Sequence, residues 1–564
     1  MGNSLIFTAV SCVAVMALVA WVSWLKTRGS TETKDGYFLA GRGLTAGFIA
    51  GSLLLTNLSA EQLIGLNGSA YGFNMSSMAW EVTAAIATVA MAFLFLPRYL
   101  AGAFTTLPEF LAERFDADVR RLSVLLFMLG YGLVTIPSVL YSGSVAVMQF
   151  FDVPSLTGLD YFPALVSTVA IVGVTGAAYA VFGGLRAVAV SDTLNGIGLL
   201  AIGLLVPVLG IILLGDGSFA AGFERLTGDH PEKLNAIGSA SDPTPFGTIF
   251  TGMIFANLFY WCTNQYVIQR TLGAQSLAEG QKGVLFSGFF KVLVPFLMMI
   301  PGVIAFHLYG PGLATIDQAY PRLIEDVLPV WLGGVFLAVL LGAVFSSFNS
   351  LLNSAATLFT LDIYAPARKE APSDAHLVKV AKIASVVIAL ASFGVAPLLY
   401  FAEEGLWQVV RVFTGFYNIP TVVIVIMGLF TARVPALGAK LVILFHVIAY
   451  GLLRFVFDDV VTLHFIHQYA ILFMIEIGIM LAVGYWKPRP EPYTPTSRHE
   501  VDMSPWRFAR PTAFTLLSCV VGLYILFSPL GLAGGSMWFW PLMSALCALN
   551  VLVWAFQFRR PEAV

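Results

Sequence analysis

Apolar runs of about 20 residues recur along the whole of this chain, and each is long enough to cross a bilayer core as a helix. That recurrence leaves few architectures open. In hydrocarbon every backbone N–H and C=O must be paired within the protein, so repeated long apolar runs mean a bundle of spanning helices. Fifteen runs are legible, near 5–25, 44–72, 75–97, 121–150, 160–181, 187–214, 247–270, 283–309, 329–362, 378–401, 405–430, 435–456, 463–486, 511–530 and 535–558. Residues are 58% hydrophobic and only 11% charged, which excludes a soluble domain and makes the lipid bilayer the first expected partner. A formal net charge of −2, with no basic face, gives no reason to expect nucleic acid.

The loops between runs set an expected orientation. Lys26, Arg28 and Lys34 follow the first run, Arg98, Arg114, Arg120 and Arg121 the third, and Arg186 the fifth. Arg270 and Lys282 flank the loop after the seventh, and Arg368, Lys369, Lys379 and Lys382 follow the ninth. Lys487, Arg489, Arg498 and Arg507 follow the thirteenth, and Arg559 and Arg560 close the chain. The alternate loops are poor in positive charge. The pattern predicts a cytoplasmic side for every odd-numbered boundary, with the N-terminus outside and the C-terminus inside. The first run reads as an anchor and not as a cleaved signal peptide.

Segment 107–115, LPEFLAERF, reads as a short cytoplasmic surface helix, 215–246 as an irregular external loop, and 487–510 as a flexible Pro-rich cytoplasmic linker. Five runs over 44–214 precede the external loop and five over 247–430 follow it. With an odd number in each set, the second enters the membrane from the opposite side, as in an inverted repeat whose site lies where the halves meet. Residues 1–43 and 431–564 flank this core as an extra N-terminal span and peripheral C-terminal spans.

Polar residues interrupt the apolar runs at a few places. In 48–70, FIAGSLLLTNLSAEQLIGLNGSA, the residues Asn57, Ser59, Glu61 and Gln62 stand in mid-run, which marks either a broken helix with a solute site or polar packing between helices. Asn257, Tyr260, Trp261 and Asn264 fall at i, i+3, i+4 and i+7 and so share one face of a helix. Amides beside aromatic rings suit a polyhydroxylated solute. Glu81 and Lys291 lie inside the third and eighth runs, and buried charges need partners, so they either face one cavity, form a purely structural ion pair, or leave Lys291 snorkelling toward the span end. Ala343, Ser346 and Ser347 offer a carbonyl and two hydroxyls on one face, all-oxygen ligation of the kind hard cations favour. Asp192 opens the sixth run as a cation waystation or a helix cap, and Arg411 starts the eleventh as a solute contact, a partner of Glu403 or Glu404, or an interface residue.

No phosphate-binding loop, dinucleotide fingerprint, HExxH or Cys/His ligand cluster is present, and Cys12, Cys262, Cys519 and Cys547 lie in apolar runs without metal or disulfide spacing. An enzyme and a nucleotide-driven pump are therefore excluded as readings.

DGYFLAGR (35–42), NLSAEQLIG (57–65), AYG (70–72), LPEFLAERF (107–115), GGLRAV (183–188), NLFYW with NQYVIQRTL (257–272), QKG (281–283) and SSFNSLLNSAATLFTLDIY (346–364) together resemble the sodium/solute symporter family, and within it the sodium/galactose and sodium/glucose cotransporters. The resemblance implies an all-α membrane fold of the LeuT type, a five-plus-five inverted repeat within about 14–15 spans. It implies uptake of a hexose coupled to inward sodium movement by alternating access, in the cell (inner) membrane, with sodium as the co-transported ion. Carried over by position, sodium would be held by the Leu55, Leu58 and Ala343 carbonyls and the Ser346 and Ser347 hydroxyls, with Asp192 on its exit path. The sugar would meet Asn57, Gln62, Glu81, Asn257 and Lys291, with Tyr260 as inner gate beside Trp261 and its hydroxyl held by Asn57. Two positions depart from the sugar branch: Ala84 stands for a serine and Arg411 for a glutamine. Arginine adds five donors and a charge, so a cyclitol, a sugar acid or another small polar solute is the alternative cargo. Asn349 replaces a hydroxyl of the family's second ion site, which leaves one or two sodium ions open. A non-transporting sensor and proton coupling are the remaining rivals, the second disfavoured because Ser346 and Ser347 do not titrate near neutrality.

Overall fold

A computed structural model describes residues 2–27, 39–57, 60–313, 316–401, 406–457, 460–495, 497–498 and 501–559. It also leaves out the side chains of 2–6, 26–27, 40, 55–57, 60–61, 149–150, 178–189, 317, 330–331, 406–409 and 411–412. In chain order the helices are α1 Gly2–Thr27, α2 Ala46–Asn57, α3 Ala60–Gly72, α4 Met75–Ala101, α5 Leu107–Arg114, α6 Ala117–Met148, α7 Tyr161–Ala177, α8 Val190–Leu214, α9 Phe219–Gly228 and α10 Gly252–Leu258. They continue as α11 Gln265–Leu272, α12 Leu277–Tyr309, α13 Ala319–Val327, α14 Leu332–Ala367, α15 Asp374–Phe401, α16 Leu406–Phe430, α17 Ala436–Phe455, α18 Phe465–Trp486, α19 Ala509–Leu526 and α20 Phe539–Arg559. Among the described residues 12 helices are long and apolar enough to cross a membrane. The other three expected runs are helical too: α7 is one of them, and the remaining two are broken, as α2 with α3 and as α10 with α11.

Backbone hydrogen bonding is helical from Tyr161 to Leu214, but α7 and α8 are separate arms. Asn195 packs on Gly342 and Gly198 on Val339, so α8 runs antiparallel to α14; Gly176 of α7 meets Phe345 and Phe348, level with the start of α8. Helices elsewhere approach as closely as backbone allows. A Cβ on Gly302 of α12 would sit 2.2 Å from the Asn67 carbonyl oxygen of α3, so only glycine fits there.

Among the described residues four helices carry a widened π turn immediately before a proline: Met91–Phe95 before Pro97, Tyr131–Thr135 before Pro137, Pro295–Met299 before Pro301, and Leu358–Tyr364 before Pro366. Proline brings no N–H to the preceding turn, and the i→i+5 pattern takes up the mismatch.

On the face expected to be cytoplasmic, the short helix read over 107–115 is α5. Thr106 caps α5, its Oγ1 accepting from the Glu109 N–H, and Asp116 caps α6. The expected flexible linker does not hold for its described part. Arg489 and Tyr493 donate backbone N–H to Arg433 and Ala432 (2.8 and 2.9 Å), Arg498 donates to Ala101 (3.0 Å), and Asp502 accepts from Leu277 (2.8 Å). Proline and charge rule out a helix there, yet an extended chain still carries backbone donors and acceptors that loop ends can pair. Arg114 anchors the same region. It is fully buried and donates to the carbonyls of Gly428, Thr431 and Val434, and burial together with Arg489 draws its pKa down to about 10.

Candidate functional site

The two broken helices define the centre of the molecule. α2 ends at Asn57 and α3 begins at Ala60; the link residues 58–59 lie outside the described residues. The second break is described in full. α10 passes into a π turn at Phe259–Thr263, Asn264 adopts extended backbone (φ −77°, ψ 115°), and α11 restarts at Gln265. The regular helical face expected for Asn257, Tyr260, Trp261 and Asn264 is therefore corrected: the π turn and the break displace the register. All four side chains nonetheless line one cavity, because the widened turn rotates the later residues back toward it.

That cavity, of about 200 Å³, is also lined by Gln62 of α3, Trp80, Glu81 and Ala84 of α4, Lys291 of α12, Ser347 of α14 and Thr414, Tyr417 and Asn418 of α16. Glu81 and Lys291, 5% and 2% exposed, form an ion pair within it, and the Gln62 amide donates to the other Glu81 oxygen at 3.2 Å. The Gln62 carbonyl oxygen is buried without a partner among the described residues. Asn257 donates to Thr83 Oγ1 at 3.0 Å, and the Lys291 ammonium lies 5.9 Å from the Trp261 ring centre. Tyrosines close one side. Tyr266 donates to the Tyr260 hydroxyl at 2.7 Å, Tyr131 donates to Asn264 Oδ1, and Tyr131, Tyr266 and Tyr260 meet edge to face in sequence. Among the described residues the lining carries no net charge, with opposed donors and acceptors and aromatic walls.

Beside it, α14 packs against α2. Ala343, Ser346 and Ser347 are buried there, and the Ser346 hydroxyl stands against the Asp192 carboxylate. The side chains of Leu55 and Asn57, and all of Leu58, lie outside the described residues, so their expected roles are neither met nor opposed by geometry. The same holds for the Arg411 side chain, although Val410 and Thr414 on the same helix line the cavity.

Asp192 takes no cap position. It is fully buried in α8, accepts from the Ser52 hydroxyl at 2.7 Å, and faces the Arg270 guanidinium at 3.5 Å. Arg270 also donates to Ser52 Oγ (2.6 Å), to Ser350 Oγ and to the Tyr266 carbonyl. One network thus ties α2, α8, α11 and α14 directly beside Ser346. Counting Arg270 as a loop charge was the wrong expectation: α11 is short and packed on all sides, so its last turn is interior. Sequence reasoning missed it as the partner of Asp192. The usable signal was a lone arginine four residues after Tyr266, within reach of a run holding one buried acid.

A family model described as the sodium:solute symporter family matches residues 37–445. The chain is 45% identical over 517 residues to an uncharacterized symporter, YidK, of Escherichia coli (strain K12), with 91% of this chain and 90% of that protein covered. It is 32% identical to the sodium/glucose cotransporter of Vibrio parahaemolyticus over 457 residues, 76% of this chain and 81% of the other. It is 30% identical to sodium/myo-inositol cotransporter 2 of Sus scrofa over 483 residues, 79% and 68%. Among solved structures it is similar to the substrate-bound, outward-open state of a Na+-coupled sialic acid symporter, with a TM-score of 0.75, 22% identity, and 86% of this chain and 99% of that one covered. The fold is the all-helical LeuT type, and the broken helices α2–α3 and α10–α11 are its discontinuous pair.

Proposed function

The chain belongs to the sodium:solute symporter family, and we propose that its cargo is a neutral polyhydroxylated solute, a hexose or a cyclitol. It is a multi-pass membrane transporter and not an enzyme, with sodium as the co-transported ion. The observation that carries the cargo reading is the Glu81–Lys291 pair with Gln62 in an aromatic-walled cavity. The pair presents an acceptor and a donor a few ångströms apart with no net charge, the arrangement that vicinal hydroxyls can satisfy. Trp80, Trp261 and Tyr260 offer ring faces to the C–H side of such a ring. Two of the relatives are named for glucose and for myo-inositol, in line with this reading.

In the proposal sodium sits between the Leu55 and Leu58 carbonyls and the Ala343 carbonyl with the Ser346 and Ser347 hydroxyls, and leaves past Asp192. The buried Ser346 hydroxyl, set against the Asp192 carboxylate of the proposed exit path, supports this placement. Sodium binding favours the outward-facing state to the extent that it binds that state better. One sodium ion crossing 100 mV supplies about 2.3 kcal/mol. A tenfold sodium gradient adds about 1.4 kcal/mol, enough together for roughly 500-fold accumulation of solute. The repeats occupy 44–214 and 247–430, and the protein sits in the cell membrane with its N-terminus outside and C-terminus inside.

A sugar acid is the second reading, favoured by Arg411 on the helix that brings Val410 and Thr414 to the cavity. The two separate in one experiment. Trp80 and Trp261 line the cavity, so their fluorescence is followed during titration with galactose, glucose, myo-inositol and glucuronate, in sodium or in choline. A saturable change with a neutral solute, only in sodium, and the same ranking in Arg411→Gln, is the expected result. Glucuronate as the sole active compound, lost in Arg411→Gln, overturns the neutral-solute reading.

A further inference from the structure

Away from the cavity, α17 and α18 carry a buried acid and a buried imidazole that the transport reading does not use. His446 and Glu476 are both fully buried, and His446 Nδ1 lies 2.6 Å from Glu476 Oε1. The other ring nitrogen, Nε2, lies 3.0 Å from the Gly415 carbonyl oxygen of α16. Since a carbonyl only accepts, Nε2 carries a proton and donates.

Gly415 is a singular point on α16. Pro420 stands inside the helix and removes the bond that Phe416 O would accept, which weakens this turn. A Cβ at Gly415 would sit 2.2 Å from the Tyr450 hydroxyl of α17, so no larger residue fits. Thr414, Tyr417 and Asn418, in the same turn, line the solute cavity, and Tyr469 of α18 lines it from the adjoining wall. The weakened turn is thus gripped from outside by His446, which is in turn held by Glu476.

We propose that His446 and Glu476 are positioning residues for the cavity wall formed by α16, and that the grip holds only while the pair retains two protons, one donated from Nε2 to Gly415 and one shared between Nδ1 and Oε1. With both in place, the contact to Glu476 is a hydrogen bond whichever partner owns the shared proton. With one proton lost the imidazole keeps a single N–H: held at Nδ1 it leaves a lone pair against the Gly415 carbonyl at 3.0 Å, held at Nε2 it leaves one against the carboxylate at 2.6 Å, and either repulsion swings His446 off Gly415. Among the described residues the other titratable groups at the pair are tyrosines: Tyr450 stacked on the imidazole at 5.5 Å, with Tyr469 beyond it. His446 is the one titratable partner of Glu476 among the described residues.

The test does not depend on the identity of the solute. Thr414→Cys is introduced on a background with the four native cysteines replaced by serine, and alkylation by a membrane-impermeant maleimide is timed in proteoliposomes between about pH 6 and about pH 9.5. The same measurement is made with Glu476→Gln added. A glutamine amide donates to a neutral Nδ1 while Nε2 still donates to Gly415, so this variant keeps the grip and has no proton to lose. The ratio of the two rates cancels the thiol's own titration. It is expected to stay near one at acid pH and to rise several-fold, in favour of the parent, at alkaline pH; His446→Ala is expected to react at the fast rate throughout. A ratio that stays flat across the range, or Glu476→Gln reacting as fast as His446→Ala, overturns the proposal.

Discussion

Lys291→Met is expected to lower solute uptake roughly 10- to 100-fold, the equivalent of one or two charge-assisted hydrogen bonds. It is also expected to destabilise the protein by about 3 kcal/mol. Both effects have one origin. Glu81 is 5% exposed and its ion-pair partner is Lys291, so truncation leaves a carboxylate buried against Trp261 and the Gln62 amide alone. Breaking a buried pair from one side costs about 3–5 kcal/mol, and access to the cavity places this case at the lower end. Glu81→Gln combined with Lys291→Met removes both charges and is expected to recover the melting temperature in detergent while leaving uptake low. If the double variant regains uptake along with stability, the pair serves packing only and its role toward solute is refuted.

A larger loss of stability is expected at the second buried pair. Arg270→Met strands Asp192 at zero exposure and removes donors from Ser52, Ser350 and the Tyr266 carbonyl in one step, at a cost of about 3–5 kcal/mol. Arg270→Lys keeps the charge but not the planar fork, and a single ammonium cannot serve four acceptors on α2, α8, α11 and α14, so it is expected to recover only part of the loss. Arg270→Met with Asp192→Asn is expected to recover most of it. Thermal unfolding of the purified variants reads all three, and an unshifted melting temperature in Arg270→Met would refute the account of this network.

These two pairs were not equally legible in the sequence. Glu81 and Lys291 stand in mid-run, where a charge has no exit to water, so their meeting in a cavity follows from the cost of leaving either alone. Arg270 stands at the end of a run, where an arginine more often reaches the surface. Only the break at Asn264, which shortens α11 to eight residues and buries its last turn, decides otherwise. The break itself was half legible. Polar residues within 48–70 mark the first, but in 257–264 the spacing suggested an intact face, since a π turn with no proline after it leaves no signature in residue type. The docked extended segment after Trp486 was illegible for a related reason. Its hold is made largely by backbone groups, which every sequence carries. His446 and Glu476 passed unnoticed because their pairing depends on how α17 and α18 are set side by side. The three helices α16, α17 and α18 were placed in order by hydropathy, but their rotation about their axes was not.

The bundle and its family were legible because hydrophobic length and a few dense motifs carry them. The cavity lining was legible residue by residue where a polar group had no cheaper explanation. Ala84 is the counter-case: it lines the cavity, yet an alanine in an apolar run signals nothing by itself.

Sodium-driven uptake is the claim on which the rest depends. Purified protein in proteoliposomes, given labelled galactose or myo-inositol with an inward gradient of sodium and, in parallel, of potassium, measures it directly. Accumulation above the external concentration with sodium, collapsing to equilibration with potassium, is the expected result. Equal accumulation under both gradients, or under a proton gradient alone, would contradict it.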